Sequence, residues 1–356
     1  MIVNTPPEPI DELNWSEFVQ FASVDMGAPE LKHSDLLRIW RNYDANMDRI
    51  RHMLMVVALS GEIRQIVQNC SDIARFRVTG SLWFLEKQEE NEEIDITFKS
   101  LLNENIALIA SRLNALRTGN DEQDKRIDQQ MALQILNRDA LITRTFQNDK
   151  NFRVGLEHFI ETSITTGWTA FEVFSTDLWE AALNIHPKGL ASLNANSKSL
   201  NKIKSRNSGY ADGDIGDNKQ KRGEDRTILL RKLHENDYDI KNRMGSILKY
   251  KYAFNTLWSI RRAYFEAFGD NAKQLEDLLM HKVFDQLSSL RNVIVHNSCL
   301  CDADYIKDQA DIIELPRADK GFKVKINGAY ASSLMLTKQA CCKLLIQSID
   351  DWLHEN

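Results

Sequence analysis

An arginine and a histidine bracket a short apolar run near the C-terminal end of the chain. Arg291 is followed by Asn292, three aliphatic residues and His296, with Asn297 directly after. A guanidinium is a permanent cation that fits a phosphate, and an imidazole exchanges protons near neutral pH. Cleavage of RNA without a metal needs a base at the 2′-hydroxyl, an acid at the leaving 5′-oxygen and positive charge on the phosphoryl oxygens. These side chains have the chemistry for that reaction.

The spacing of the two residues limits how they can cooperate. Positions five residues apart on an ideal helix point about 140° away from each other, so Arg291 and His296 are not expected to share one face. Two arrangements bring them to one phosphate: the helix ends near Val295 and His296 turns inward, or two copies of the chain build one site. Asn292 lies on the same face as His296 and is expected to orient the imidazole. An Arg-x4-His spacing occurs by chance in many chains, so the neighbouring sequence must show whether it marks a functional site.

The composition is typical of a soluble helical protein. Of 356 residues, 43% are hydrophobic and 27% are charged, and only 15 are glycine and 6 proline. A net charge of −6 argues against extensive non-specific binding along nucleic acid but allows a local basic cleft. The five cysteines lack a zinc-type spacing, so we expect reduced thiols, no metal and no cofactor. No run approaches the roughly 18 apolar residues of a membrane span, and no secretory signal pattern is present, which predicts a cytoplasmic protein.

Helical periodicity dominates the chain, and its length suggests about two domains. We predict an N-terminal helical domain of unknown role over residues 1–150, with the boundary in the polar run at 148–151. One small β-hairpin is predicted from Ile312–Leu315 and Phe322–Ile326, around a turn-forming stretch. The predicted helices are, in order, Ser34–Asn69, Leu101–Leu116, Gln123–Phe146, Phe152–Leu183, Ile228–Phe268, Asn271–Val295 and Leu334–Leu353.

A polar segment interrupts the second half of the chain. Residues 194–225 have few large apolar side chains, so we predict a flexible insertion that does not bury enough surface to order itself. A plain flexible loop is one interpretation. The other is contact with an RNA backbone through the release of counterions. The candidate contact residues are Lys202, Lys204, Arg206, Lys221 and Arg222.

The surroundings of the Arg-x4-His pair resemble the signature of the HEPN superfamily. That signature is an arginine, a polar residue that is often asparagine, a short spacer and a histidine at the end of a long helix. The stretch Leu287–Asn297 has this pattern. The segment Gly167–Trp179 resembles the first helix of the family, in which an apolar face carries one acidic residue, here Glu172. With the predicted hairpin and closing helix, residues 151–356 resemble the HEPN domains of bacterial toxin and phage-defence proteins.

The resemblance implies an all-α helical bundle that dimerises and cleaves RNA without a metal, leaving a 2′,3′-cyclic phosphate. His296 is then the acid or base, Arg291 holds the phosphate and Asn292 supports them, with Glu172 and Asn297 as weaker supporting candidates. It also implies a role in stress response or phage defence, with the N-terminal domain sensing or restraining the activity. Members that an AMP-transferring antitoxin silences carry a tyrosine shortly after the histidine. This chain has Ser298 there, which argues against that control.

Two other functions stay open. A HEPN fold can serve assembly or nucleotide binding while its motif is inactive. The protein can also be a toxin that a separately encoded antitoxin or sensor partner holds inactive. At the level of residues, Arg291 and His296 can simply pair with carboxylates at a helix end, and Glu172 can be an ordinary bundle carboxylate.

Overall fold

The computed structural model describes residues 26–79, 96–104, 150–193, 228–269 and 273–356, together with residues 17, 18, 21, 24, 107 and 111. These ranges are mostly helical, which confirms the all-α prediction. In the described ranges, none of the helices is both long enough and apolar enough to cross a membrane. The helices are α1 (Ser34–Thr79), α2 (Lys150–Ile185), α3 (Pro187–Leu190), α4 (Leu230–Glu235), α5 (Met244–Leu248), α6 (Leu257–Phe268), α7 (Lys273–Leu279), α8 (Lys282–Asn297), α9 (Ala303–Asp311) and α10 (Gly328–Glu355).

Some predicted features lie outside the described residues. They are the helix at Gln123–Phe146, most of the helix at Leu101–Leu116, and the polar insertion with its candidate RNA contacts Lys202, Lys204, Arg206, Lys221 and Arg222.

The chain separates into two compact units, and each is built from two stretches of sequence. One unit consists of Met1–Ser23 and Arg51–Glu157, and the other of Val24–Ile50 and His158–Asn356. This division differs from the predicted boundary near residue 150, because residues 24–50 group with the C-terminal half of the chain.

Aromatic contacts explain why the start of α1 belongs with the C-terminal half. The rings of Trp40 and Tyr43 lie 6.5 Å and 4.7 Å from the ring of Phe174 in α2, measured between centroids. All three side chains are buried. Burial of such large apolar groups stabilises the pairing of α1 with α2.

In the other unit, the described side chains form two small apolar contacts. Phe18 and Phe21 stack with centroids 6.2 Å apart, and the guanidinium of Arg51 lies over the ring of Phe21. Cys70 and Leu101 are buried together.

Helix α2 is the central element of the unit that contains the candidate site. The indole nitrogen of Trp179 donates a hydrogen bond to the carbonyl of Ala263 in α6 at 2.9 Å. The ring of Phe171 stacks on the ring of Phe284 in α8, with centroids 4.4 Å apart. The continuous apolar stripe of the sequence therefore places α2 against both α6 and α8. Its buried large side chains include Ile164, Trp168, Phe171, Phe174, Leu178 and Trp179.

Two long predicted helices are divided into shorter ones. The predicted helix Ile228–Phe268 breaks after α4, where Asp237 and Tyr238 adopt positive φ values of 54° and 57°. Helical structure resumes at α5 and again at α6, whose first turn is capped by the Thr256 hydroxyl. The predicted helix Asn271–Val295 is likewise divided, because His281 adopts an extended conformation and accepts a hydrogen bond from the backbone at the start of α8.

The predicted β-hairpin is wrong. Neither Ile312–Leu315 nor Phe322–Ile326 is a strand, and the β pairing among the described residues is one antiparallel bridge between Leu300 and Lys323. The backbone of Ile312 closes α9 by donating to Asp308, so it is not available for a ladder. The second segment pairs instead with the residues that follow α8.

Gly245 marks a close approach between α5 and α2. Its backbone nitrogen donates to the side chain of Asn184 at 2.7 Å, and a Cβ added there would lie 2.1 Å from the carbonyl oxygen of Glu180. We expect Gly245→Ala to lower the free energy of unfolding by about 1–3 kcal/mol, since backbone must shift to admit the methyl group. Gly155→Ala is the control: no atom lies within 4 Å of its added Cβ, and a gain of about 0.5–1 kcal/mol is expected in a helix. Denaturant titration measures both, and equal midpoints for the two variants would contradict the packing argument.

Asp350 in α10 holds the residues that precede α1. Its carboxylate accepts hydrogen bonds from the backbone nitrogens of Lys32 and His33 at 2.6 and 3.0 Å, and it lies 2.7 Å from Nδ1 of His33. Burial by itself raises the pKa of Asp350, but these donors outweigh burial and hold the pKa below the usual value.

The lowered pKa of Asp350 predicts a pH-dependent stability. A carboxyl group whose folded pKa is depressed contributes stability above its unfolded pKa of about 3.9, and that contribution disappears as pH falls through the folded pKa. We expect Asp350→Asn to flatten the stability profile below about pH 5, where the wild-type contribution is lost, as measured by denaturant unfolding. Asp351→Asn, which changes a carboxylate that is 63% exposed, should keep the wild-type slope. The same slope in both variants would show that Asp350 does not supply it.

Candidate active site

Helix α8 presents the Arg-x4-His pair at its C-terminal end. Its buried face contains Phe284, Leu287, Leu290 and Val293, which fixes the direction of the helix. The helix continues through His296 and ends where Ser298 and Cys299 adopt positive φ values of 50° and 63°. The first predicted arrangement, with the helix ending near Val295, is therefore not the one adopted.

The two motif side chains meet within a single chain. Nη1 of Arg291 lies 3.4 Å from Nε2 of His296. The two residues stay about 140° apart around the helix, as predicted, but the long arginine side chain reaches across that separation, so neither a second copy nor a helix end is needed for their contact. Arg291 is half-buried and His296 is exposed, so the imidazole is open to solvent while the guanidinium is partly fixed.

Asn292 contacts the arginine. Its Oδ1 accepts a hydrogen bond from Nη1 of Arg291 at 3.0 Å. The predicted role was to orient the imidazole of His296. The observed bond instead orients the guanidinium, because neighbouring side chains at a helix end can turn toward each other when one of them is long and flexible.

Glu172 in α2 faces Arg291. Burial raises the pKa of Glu172, while a hydrogen bond from the Trp168 indole and the attraction of Arg291 oppose that rise. The electrostatic effect of Arg291 on Glu172 shows that the two charges influence each other, and the role of Glu172 in orienting Arg291 or His296 stays a prediction. The site contains a cation, an imidazole and a carboxyl group with a raised pKa.

Asn297 has a structural partner. Its Nδ2 donates to Oδ2 of Asp302, and the other oxygen of Asp302 caps α9 by accepting from the backbone nitrogen of Tyr305 at 2.8 Å. Asn297 therefore connects the end of α8 to the start of α9, beside the exposed imidazole of His296.

The sequence did not single out the carboxylate that anchors the segment after His296. Glu161 in α2 lies 2.8 Å from Nδ1 of His158 and 3.1 Å from Nζ of Lys323, and it accepts a hydrogen bond from the thiol of Cys299. Burial raises its pKa, but these partners outweigh burial and lower it. The His158 pairing is visible as a helical spacing of three. The other two partners become visible only in three dimensions.

Within the described part of the chain, no three His, Cys, Asp or Glu side chains are grouped to hold a metal ion. All five cysteines are free thiols, and all five are buried.

Comparisons of the chain with protein-family models, with characterised proteins and with solved structures found no match.

Proposed function

We propose that this protein is a metal-independent endoribonuclease of the HEPN type that acts as a homodimer. The observation that carries the proposal is the contact between Arg291 and His296, 3.4 Å apart at an exposed helix end. A cation and a proton-transfer group side by side and open to solvent fit a phosphodiester substrate better than a purely structural role. We further propose that the activity serves stress response or phage defence, and that the other unit senses a signal or restrains the nuclease.

In the proposed reaction the ribose 2′-oxygen attacks the adjacent phosphorus. The 2′-hydroxyl proton passes to an imidazole, the bond from the 2′-oxygen to phosphorus forms, and the bond from phosphorus to the 5′-oxygen breaks. The leaving 5′-oxygen takes a proton from a second imidazole, which yields a 2′,3′-cyclic phosphate and a 5′-hydroxyl. Arg291 neutralises the phosphoryl oxygens throughout.

A dimer supplies both imidazoles. One chain contributes one His296, whereas base and acid must act on opposite sides of the phosphorus. Val295, directly before His296, is 53% exposed, so an apolar side chain beside the motif is open to contact in such a dimer.

The test is incubation of purified protein with total RNA in excess EDTA. Cleavage that persists in EDTA is expected, because no step uses a metal. If RNA stays intact at every protein concentration, also after heat or protease treatment to remove a bound inhibitor, the non-catalytic assembly or nucleotide-binding role is favoured. Cleavage that appears only after removal of a copurifying protein identifies a restrained toxin, and the nuclease proposal then stands.

A further inference from the structure

The contact between Arg291 and His296 bears on where the imidazole carries its hydrogen. A guanidinium nitrogen can only donate, so Nη1 of Arg291 is attracted to Nε2 of His296 only if Nε2 has a free lone pair. A neutral imidazole with a lone pair on Nε2 carries its hydrogen on Nδ1. A protonated imidazole in this place would set two cations 3.4 Å apart.

Arg291 has enough N–H donors to contact Asn292 and His296 and to bind a phosphate at the same time. Nη1 has two hydrogens, and it contacts two acceptors, Oδ1 of Asn292 at 3.0 Å and Nε2 of His296 at 3.4 Å. The remaining donors are on Nε and Nη2, which form the edge that binds a phosphate through two parallel hydrogen bonds. The guanidinium also attracts the carboxyl group of Glu172 electrostatically.

We propose that Arg291 prepares His296 to act as the general base by holding its imidazole in the tautomer with hydrogen on Nδ1. The edge of Arg291 formed by Nε and Nη2 binds the phosphate. Asn292 is a positioning residue that acts through Arg291. The substrate in this inference rests on the proposed function, but the tautomer is a property of the protein alone. In the reaction, Nε2 exchanges its bond to Arg291 for the proton of the 2′-hydroxyl, and the guanidinium stays on the phosphate as the 2′-oxygen bonds phosphorus. The leaving 5′-oxygen is protonated by the second imidazole of the dimer, which acts in its protonated form and in that form no longer accepts from Arg291.

The experiment is nitrogen NMR of the full chain with labelled histidine, at about pH 8, above the ordinary titration range of imidazole. The signals of His296 are assigned by their absence in His296→Ala. Two histidines serve as internal references, because Nδ1 of each lies against a carboxylate, which only accepts: His33 at 2.7 Å from Asp350 and His158 at 2.8 Å from Glu161.

We expect wild-type His296 to show a protonated Nδ1 and an unprotonated Nε2. In Arg291→Ala we expect the pattern to shift to hydrogen on Nε2, the form that imidazole favours in water. Arg231→Ala removes a distant arginine and should leave the His296 signals unchanged. Wild-type signals with hydrogen on Nε2 would overturn the inference without any variant, and so would an Nδ1 pattern that persists in Arg291→Ala.

The outcome is independent of nuclease activity. An Nδ1 tautomer that depends on Arg291, in a protein that leaves RNA intact, supports the role of the guanidinium and contradicts the nuclease. Metal-resistant cleavage by a protein whose His296 carries hydrogen on Nε2 supports the nuclease and overturns the assignment of the base.

Discussion

Replacement of His296 by alanine is expected to lower the rate of RNA cleavage by about 10²–10⁴-fold, the range that a positioned acid or base contributes. The imidazole is exposed at the end of α8, so the free energy of unfolding should stay within about 0.5 kcal/mol of wild type. Loss of activity without loss of stability separates a chemical role from a structural one. Cleavage rates on a fixed RNA, together with denaturant midpoints, measure both.

Arg291→Ala should cause a loss of comparable size, and Arg291→Lys should recover little of it. Lysine keeps the positive charge but has one nitrogen, so it does not combine the contacts of Nη1 to Asn292 and His296 with a separate edge for the phosphate. His354→Ala is the matched control, because His354 is also an exposed histidine in the last turn of a helix. Wild-type cleavage by the His296 and Arg291 variants, or an equal loss in the His354 variant, would contradict the assignment of the site.

The largest effect on stability is expected at Arg261 in α6. This side chain is completely buried, and its guanidinium bonds both oxygens of Asp285 in α8, at 2.7 and 3.0 Å. Its Nε donates to the carbonyl of Leu279 at 2.9 Å. Arg261→Ala removes the cation from a buried pair and leaves the carboxylate without its bidentate partner, which costs about 3–5 kcal/mol.

An exposed arginine pair provides the comparison. Arg231 is 84% exposed and lies 2.7 Å from Glu235, so Arg231→Ala should cost only about 0–1 kcal/mol. Denaturant unfolding of the two variants tests the difference. If the Arg261 variant unfolds at the same denaturant concentration as the Arg231 variant, then the buried pair does not hold α6 against α8 as argued.

The elements with continuous apolar periodicity were predictable from sequence. Helix α2 was predicted at Phe152–Leu183 and lies at Lys150–Ile185, because an unbroken stripe of large apolar side chains leaves one face to bury. The nearness of Glu172 to Arg291 was expected only from a resemblance. Periodicity gives the face of a helix but does not say which other helix it meets.

The breaks between helices were not predictable in the same way. Asp237 and Tyr238 interrupt an apolar pattern that continues on both sides. Aspartate is only a weak signal of a positive φ compared with glycine, and tyrosine is none. The hairpin was wrong for a related reason. Local alternation identified Phe322–Ile326 as extended, but its actual partner follows α8, and sequence alternation does not specify a partner.

Within the candidate site, the sequence identified the residue types but not their contacts. An ideal helix separates Arg291 from His296, whereas the length of the arginine side chain lets them meet. The same flexibility turns Arg291 toward Asn292. Angular positions on a helix describe Cβ directions, and they become poor guides when a side chain has several rotatable bonds.

The most direct test of the proposed chemistry uses one RNA oligonucleotide and its 2′-deoxy counterpart at the cleaved position, both in EDTA. The proposed site activates a 2′-hydroxyl, so the RNA should be cut to a 2′,3′-cyclic phosphate and a 5′-hydroxyl, and the deoxy version should stay intact. Mass spectrometry of the product ends distinguishes these forms. Cleavage of the deoxy version, or products that end in a 3′-hydroxyl, would contradict the assignment of His296 and Arg291 to this reaction.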